Sequence, residues 1–263
     1  MQIRSFVLDA ESQQLGNVHR IPFCLLRLSI MTKISTRLGA VQRRIHNACL
    51  AAGRAPTAVK LLAVSKTFAA DAVQEAFAAG QTLFGENYIQ EAVQKITALR
   101  HLPIEWHCIG PIQSNKTRLV AGHFDWVHTV DRLKIAERLS EQRPLAMPAL
   151  QVCIQVNVDG GPNKSGVVPA DALALAQAVA SLPRLQLRGI MCIPEPAPDF
   201  ASACSVFKRA SDLFEALNAQ GVVLDTLSMG MSADLEAAIA SGSTLVRVGS
   251  AIFGTRHAPP AGQ

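Results

Sequence analysis

The sequence predicts a single α/β domain of the (β/α)8 TIM-type barrel class, with one extra helix ahead of the barrel. Between residues 59 and 248, short apolar runs of strand character alternate with longer amphipathic runs of helical period, and eight of the short runs fit into about 200 residues. Ahead of them Ile34, Leu38, Val41, Ile45 and Leu50 recur at helical spacing, which places a helix before the first strand. The region contains neither an internal repeat nor a linker rich in Pro, Gly or Ser, so one domain is expected. A doubly wound open sheet, which shows the same alternation, is the competing arrangement.

The expected strands cover 59–64, 82–85, 104–109, 126–130, 150–158, 187–192, 226–229 and 244–248. Each is short and mostly apolar, as strands buried on both faces of a parallel barrel must be. The expected helices cover 69–79, 88–99, 114–121, 132–142, 169–181, 200–219 and 232–241. Pro194, Pro196 and Pro198 mark a loop after the sixth strand, and Ser232 reads as the N-cap of the last helix. Residues 1–30 show no sustained period, and Met31 can itself initiate; that segment is expected as an extension or a start-site artefact, with a native arm as the alternative, and 31–263 as the barrel domain.

Hydrophobic residues make up 49% and charged residues 17%, a balance that excludes a disordered chain. The net charge of +5 comes from interspersed residues and aromatics are only 5%, so there is neither a basic run nor a stacking platform for nucleic acid. Cys24, Cys49, Cys108, Cys153, Cys192 and Cys204 stand far apart with no CxxC pair, as suits free thiols in a reducing compartment; a cytoplasmic location is expected. The most apolar N-terminal stretch, 21–31, is interrupted by Arg27 and too short to span a bilayer, so no membrane association is expected.

In a barrel of this class the strand C-termini form the active face. The first expected strand ends in Val64-Ser65-Lys66-Thr67. A lysine among apolar neighbours there has its ammonium form penalised and becomes available as a Schiff-base nucleophile, whereas the ordinary reading is a solvated strand end. After the seventh and eighth strands come Ser228-Met229-Gly230-Met231-Ser232 and Arg247-Val248-Gly249-Ser250, whose glycines, hydroxyls and helix start suit a phosphate, or equally plain turns. Asp234 and Glu236 would repel an anion and are expected to point away. Arg247 faces opposite to Val246 and Val248, so it needs an interior partner: a cofactor ring nitrogen or a strand carboxylate. Asn87, in Gly85-Glu86-Asn87-Tyr88, is placed to hydrogen-bond a phenolic oxygen, with His107 beneath the ring. A metal on His107 and Cys108 is not expected, because adjacent strand residues face opposite ways. A lysine, an anion cradle and an interior arginine together meet the needs of pyridoxal 5′-phosphate.

At these motifs the sequence resembles the pyridoxal phosphate homeostasis protein family, single-domain relatives of the alanine racemase barrel. The likeness rests on Leu62-Ala63-Val64-Ser65-Lys66-Thr67, Phe84-Gly85-Glu86-Asn87-Tyr88, Trp106-His107-Cys108-Ile109-Gly110, Ser228-Met229-Gly230-Met231-Ser232 and Val246-Arg247-Val248-Gly249-Ser250, and spans roughly residues 34–256. It implies a fold type III barrel in which Lys66 forms the aldimine, Ser228, Gly230, Gly249 and Ser250 hold the phosphate, Met229 is a further cofactor-binding residue, Arg247 meets the pyridine nitrogen and Asn87 lies near the ring. Lys164 falls in what looks like the family's loop after strand five. Cys108, where an aromatic is common, and Ser250, where threonine is common, are small departures.

An arginine at the pyridine nitrogen disfavours its protonation and weakens the cofactor as an electron sink. The alanine racemases, to which the chain is similar, also use a tyrosine from a C-terminal β domain; the single tyrosine here is Tyr88 and that domain is expected to be absent. The resemblance therefore implies a non-catalytic, monomeric carrier of pyridoxal phosphate that passes it to apo-enzymes. A small racemase or amino-acid lyase is the alternative.

Overall fold

The computed structural model describes residues 32–161 and 165–254; the expectations for 1–30 and for Lys164 lie outside these. Helix α1 (Lys33–Ala51) starts where Thr32 Oγ1 accepts the Ser35 N–H, and buries Leu38, Val41, Ile45, Ala48 and Cys49. Leu50, expected on that face, is exposed, because it falls one position past the Ile45–Cys49 stripe. Then β1 (Lys60–Val64), α2 (Ala70–Ala78), β2 (Leu83–Glu86), α3 (Ile89–Ala98), β3 (Glu105–Cys108), α4 (Thr117–His123), β4 (Trp126–Val130) and α5 (Leu133–Gln142) follow. The second half runs β5 (Leu150–Gln155), α6 (Ala172–Ala180), β6 (Leu185–Met191), α7 (Phe200–Ala219), β7 (Thr226–Ser228), α8 (Leu235–Ala240), β8 (Leu245–Val248) and α9 (Ser250–Phe253).

All eight strands are parallel and close into a barrel in sequence order. Closure is made by β1 on β8, where Lys60–Ala63 pair with Leu245–Val248, and this settles the choice against an open sheet. Closed pairing leaves no strand edge to solvent. The core between barrel and helices is mostly apolar, with Phe84, Phe124, Phe207, Ile135 and Leu139 fully buried. α1 packs on α8 and α9, fastened by Arg44, which pairs with Glu236 at 2.9 Å, and by Arg54, which donates to the Ile239 carbonyl. Glu236 thereby turns away from the barrel mouth, as expected, whereas Asp234, expected to do the same, stays at its rim.

Most element bounds shift by one to three residues from the sequence reading, and two of these shifts have a visible cause. β5 ends at Gln155, because the chain leaves the sheet and Val156 bridges Val167 instead. α8 begins at Leu235: Asp234 accepts the Met231 N–H, closing a turn over 231–234, so Ser232 is a turn residue and not an N-cap. No helix of the described residues is long and apolar enough to cross a membrane.

Candidate functional site

A pocket of about 540 Å³ opens at the C-terminal mouth of the barrel. Lys66, Asn87, Arg247, Gly249 and Ser250 line it together with Ser232, against an apolar wall of Val64, Phe68, Ile109, Ile193 and Met231. Phe68 is itself seated on Phe253, ring centroids 5.1 Å apart. These residues come from the ends of β1, β2, β3, β6, β7 and β8, which is the face where barrel loops converge.

The backbone around Lys66 is gripped on both sides. Ser65, fully buried, donates its N–H to Gly85 O and its hydroxyl to Glu86 Oε1 at 2.6 Å, while its carbonyl accepts Lys95 Nζ at 2.9 Å. Thr67 donates its N–H to Glu91 Oε1 at 2.9 Å and sits at φ +68°, the one non-glycine residue with positive φ among those described. A β-branched residue there stores strain of about 1–3 kcal/mol, and such strain persists where surrounding contacts over-determine the backbone. Lys95 Nζ ties the two sides together by pairing with Glu86 at 2.8 Å and Glu91 at 2.6 Å. Burial pushes the Glu86 carboxyl up, opposed by the Lys95 charge. Nothing in strand alternation signals this cluster; the Glu91–Lys95 spacing of one helical turn is its only trace in the sequence.

Arg247 is the other anchor. It is only 4% exposed, and it donates from Nη1 to Ser228 Oγ at 2.7 Å and from Nη2 to the Cys192 carbonyl at 2.8 Å. Both acceptors are neutral. Among the described residues no carboxylate forms an ion pair with it, so the strand-carboxylate alternative is not realised. Burial lowers its pKa, while Asp234 at the pocket rim pulls it back up. Two donors are thus spoken for, leaving others of the five available to a group in the pocket.

Ser228, Met229 and Gly230 stand apart from the pocket lining. The Ser228 hydroxyl, fully buried, is held between Arg247 and His128 Nδ1, 3.0 Å away. Met229 is buried with its carbonyl accepting the Ser243 hydroxyl. Gly230 has φ +94°, and a Cβ there would come 2.5 Å from Ala238 Cβ, so this glycine lets the loop turn flat against α8. Beyond the turn, Ser232 Oγ lies 3.4 Å from Ser250 Oγ, bringing the loops after β7 and β8 together at the rim.

Asn87 lines the same pocket, and its Oδ1 is buried without a hydrogen-bond partner. Its position depends on Gly110, where a Cβ would meet the Asn87 carbonyl at 2.2 Å. His107 is not beneath the pocket. It is fully buried, with Nε2 on Glu105 and Nδ1 on His128, and borders the cavity lined by Lys60, Glu105 and Trp126 at the opposite mouth. Cys108 packs separately, its Sγ 3.9 Å from the Gly110 carbonyl and its thiol pushed up to about 12 by burial. His128, central to this arrangement, was missed by the sequence reading; its only signal is inward alternation on β4.

An amine, a guanidinium buried without an ion pair among the described residues, a hydroxyl pair and an amide, set around an apolar wall, form a polar set that fits an anionic aromatic aldehyde with a ring acceptor. Residues 39–257 match the family described as the N-terminal domain of alanine racemase. The chain is 58% identical over 226 residues to the pyridoxal phosphate homeostasis protein of Pseudomonas aeruginosa, covering 86% of this chain and 97% of that one. The Escherichia coli protein of the same name is 51% identical over 229 residues, covering 86% and 98%. Among solved structures, PipY of Synechococcus elongatus with PLP bound superposes with a TM-score of 0.74 at 37% identity, covering 84% of this chain and all of that one. Alanine racemase of Corynebacterium glutamicum, at 20% identity and a TM-score of 0.60 over 88% of this chain and 62% of that one, shares the fold. On its motifs, its closed barrel and its match across most of its length, this chain belongs to the pyridoxal phosphate homeostasis proteins, which are built on the alanine racemase N-terminal domain.

Proposed function

We propose that the chain binds pyridoxal 5′-phosphate in the C-terminal pocket, covalently through Lys66, and acts in the cytoplasm as a monomeric, non-catalytic carrier that keeps the free aldehyde low and passes it to apo-enzymes. The observation that carries this reading is Arg247: a guanidinium buried without an ion-pair partner among the described residues, in the wall of a pocket that also holds Lys66. A buried charge requires compensation, and a ring nitrogen that accepts a hydrogen bond supplies part of it. When bound, pyridoxal phosphate supplies an aldehyde that condenses reversibly with a primary amine and releases water.

The chain's own residues divide the work. Lys66 offers the amine from a backbone clamped at Ser65 and Thr67. Gly249, Ser250 and Ser232 hold the phosphate at the rim, with Met229 and Gly230 shaping the turn behind them, and Ser228 supports Arg247 from below. Asn87, which lines the pocket, donates from its amide N–H to the ring's phenolic oxygen. Arg247, able only to donate, keeps the ring nitrogen unprotonated, which disfavours carbanion chemistry. Lys66 and Arg247 are the only ionisable side chains among the described residues lining this pocket, and Asp234 stands at its rim. The names of the relatives and the PLP-bound structure of PipY support this reading.

Borohydride reduction of the full-length protein with pyridoxal phosphate, followed by peptide mass spectrometry, tests it. The expected result is a pyridoxyl adduct on Lys66 that the Lys66→Ala variant lacks. An adduct confined to another lysine in the wild type, Lys164 included, would overturn the assignment. Turnover of D- or L-amino acids by the purified protein would instead favour the racemase or lyase alternative.

A further inference from the structure

Arg247 is the upper end of a hydrogen-bonded column that runs through the barrel interior. Its Nη1 donates to Ser228 Oγ at 2.7 Å; Ser228 Oγ lies 3.0 Å from His128 Nδ1; His128 Nε2 lies 2.8 Å from His107 Nδ1; and His107 Nε2 lies 2.9 Å from Glu105 Oε1. The first four residues are buried, and Glu105 reaches the N-terminal mouth, where it shares a cavity rim with Lys60, Trp126 and Arg188. Four strands, β3, β4, β7 and β8, contribute to this one line of contacts.

The proton positions follow from the two ends. A guanidinium only donates and a carboxylate only accepts. Glu105 therefore requires the proton of His107 on Nε2. Burial holds both imidazoles below their ordinary range, so both are neutral near pH 7. His107 Nδ1 is then an acceptor and takes the proton of His128 Nε2. His128 Nδ1 is an acceptor in turn and takes the Ser228 hydroxyl proton, which leaves the Ser228 lone pairs facing Arg247. No other arrangement of protons satisfies all four contacts with neutral rings.

We propose that this column is the positioning device of Arg247, with His128 and His107 locked as Nε2–H tautomers and Glu105 as the anchoring acceptor at the opposite mouth. Every link turns its acceptor toward the guanidinium and its donor toward the carboxylate, so the links polarise one another in the same sense. The far carboxylate thus sets the sense of the column, which turns the Ser228 lone pairs toward the guanidinium. His128 and His107 are positioning residues for the pocket. Around the column, Asp125 and Lys60 act on His107, and Trp126 stacks on its ring with centroids 5.3 Å apart; His107 and Arg247 act on His128. The consequence at the pocket rests on the reading of Arg247 as the partner of the cofactor's ring nitrogen; the column itself does not.

Nitrogen-15 spectra of histidine-labelled, cofactor-free protein test the column directly, with His107→Gln and His128→Gln assigning the signals. Both rings are expected as neutral Nε2–H forms that do not titrate between about pH 6 and about pH 8. A proton on Nδ1 of either ring, or ordinary titration near pH 6.5, would overturn it. The pocket consequence is read from the absorption of bound pyridoxal phosphate: Ser228→Ala is expected to shift the maximum and Ser228→Thr, which keeps the hydroxyl, to restore it. Identical spectra for wild type and a folded Ser228→Ala protein would remove the coupling to Arg247. A wild type that takes up no cofactor sinks the proposed function, while the histidine spectra still decide the column.

Discussion

Two buried cations, Lys95 and Arg247, organise opposite sides of the pocket by different means. Lys95 has carboxylates in direct contact, and its removal exposes what they contribute. In Lys95→Met the Glu86 carboxylate would be left buried against Ser65 alone, with its second oxygen, already lacking a hydrogen-bond partner, unable to compensate. Breaking a buried pair from one side costs about 3–5 kcal/mol, whereas removing both charges costs far less. Urea unfolding of the full chain should therefore show Lys95→Met destabilised by about that amount, and the Lys95→Met/Glu86→Gln double variant recovering a large part of it. The single variant should also take up pyridoxal phosphate more slowly, because the carbonyl of Ser65 loses its clamp next to Lys66. Wild-type stability in the single variant would show that the cluster does not hold this loop.

At the scale of elements, the turn after β7 depends on one backbone conformation. Gly230→Ala combines positive φ with a Cβ 2.5 Å from that of Ala238, so a loss of about 1–3 kcal/mol is expected. Gly122→Ala in α4, where a Cβ meets nothing within 4 Å, should instead be neutral or stabilising by up to about 1 kcal/mol. Comparison of the two thermal midpoints separates a required glycine from an incidental one; equal midpoints would mean that the turn relaxes without cost. The same contrast explains what the sequence made legible. β4 and α7 coincide with their expected bounds because apolar period and end signals agree there. Lys66, Asn87, Arg247, Gly249 and Ser250 were legible because strand ends in a parallel barrel point to one face. The α8 start was not, since a serine suited to capping is displaced by the Asp234–Met231 turn, a choice made by side-chain hydrogen bonding. Nor was the interior column, whose members meet only because strands distant in sequence are brought together by barrel closure.

Closure also makes the whole molecule sensitive to acid, through the two imidazoles enclosed near its axis. In the fold both His107 and His128 resist protonation, by burial first, opposed at His107 by Glu105 and reinforced at His128 by the Arg247 charge. In the unfolded chain each takes up a proton near its ordinary value of about 6.5. Below that pH the unfolded state binds more protons than the native one, so stability rises with pH across this window and is lost as pH falls below about 6.5. Each histidine contributes a slope of up to about 1.4 kcal/mol per pH unit, until the native ring itself titrates. Glu105, whose carboxyl is held low chiefly by the hydrogen bond from His107, adds a loss of the same sign in a more acidic range. Urea unfolding between about pH 7 and about pH 5 should therefore show a steep fall in free energy for the wild type and a shallower one for His128→Gln, which has one titrating ring fewer. The comparison uses slopes, so it holds even if His128→Gln is less stable at every pH. Parallel slopes for the two proteins would mean that His128 is protonated as readily inside the barrel as outside it, and that the interior column is not built from neutral rings.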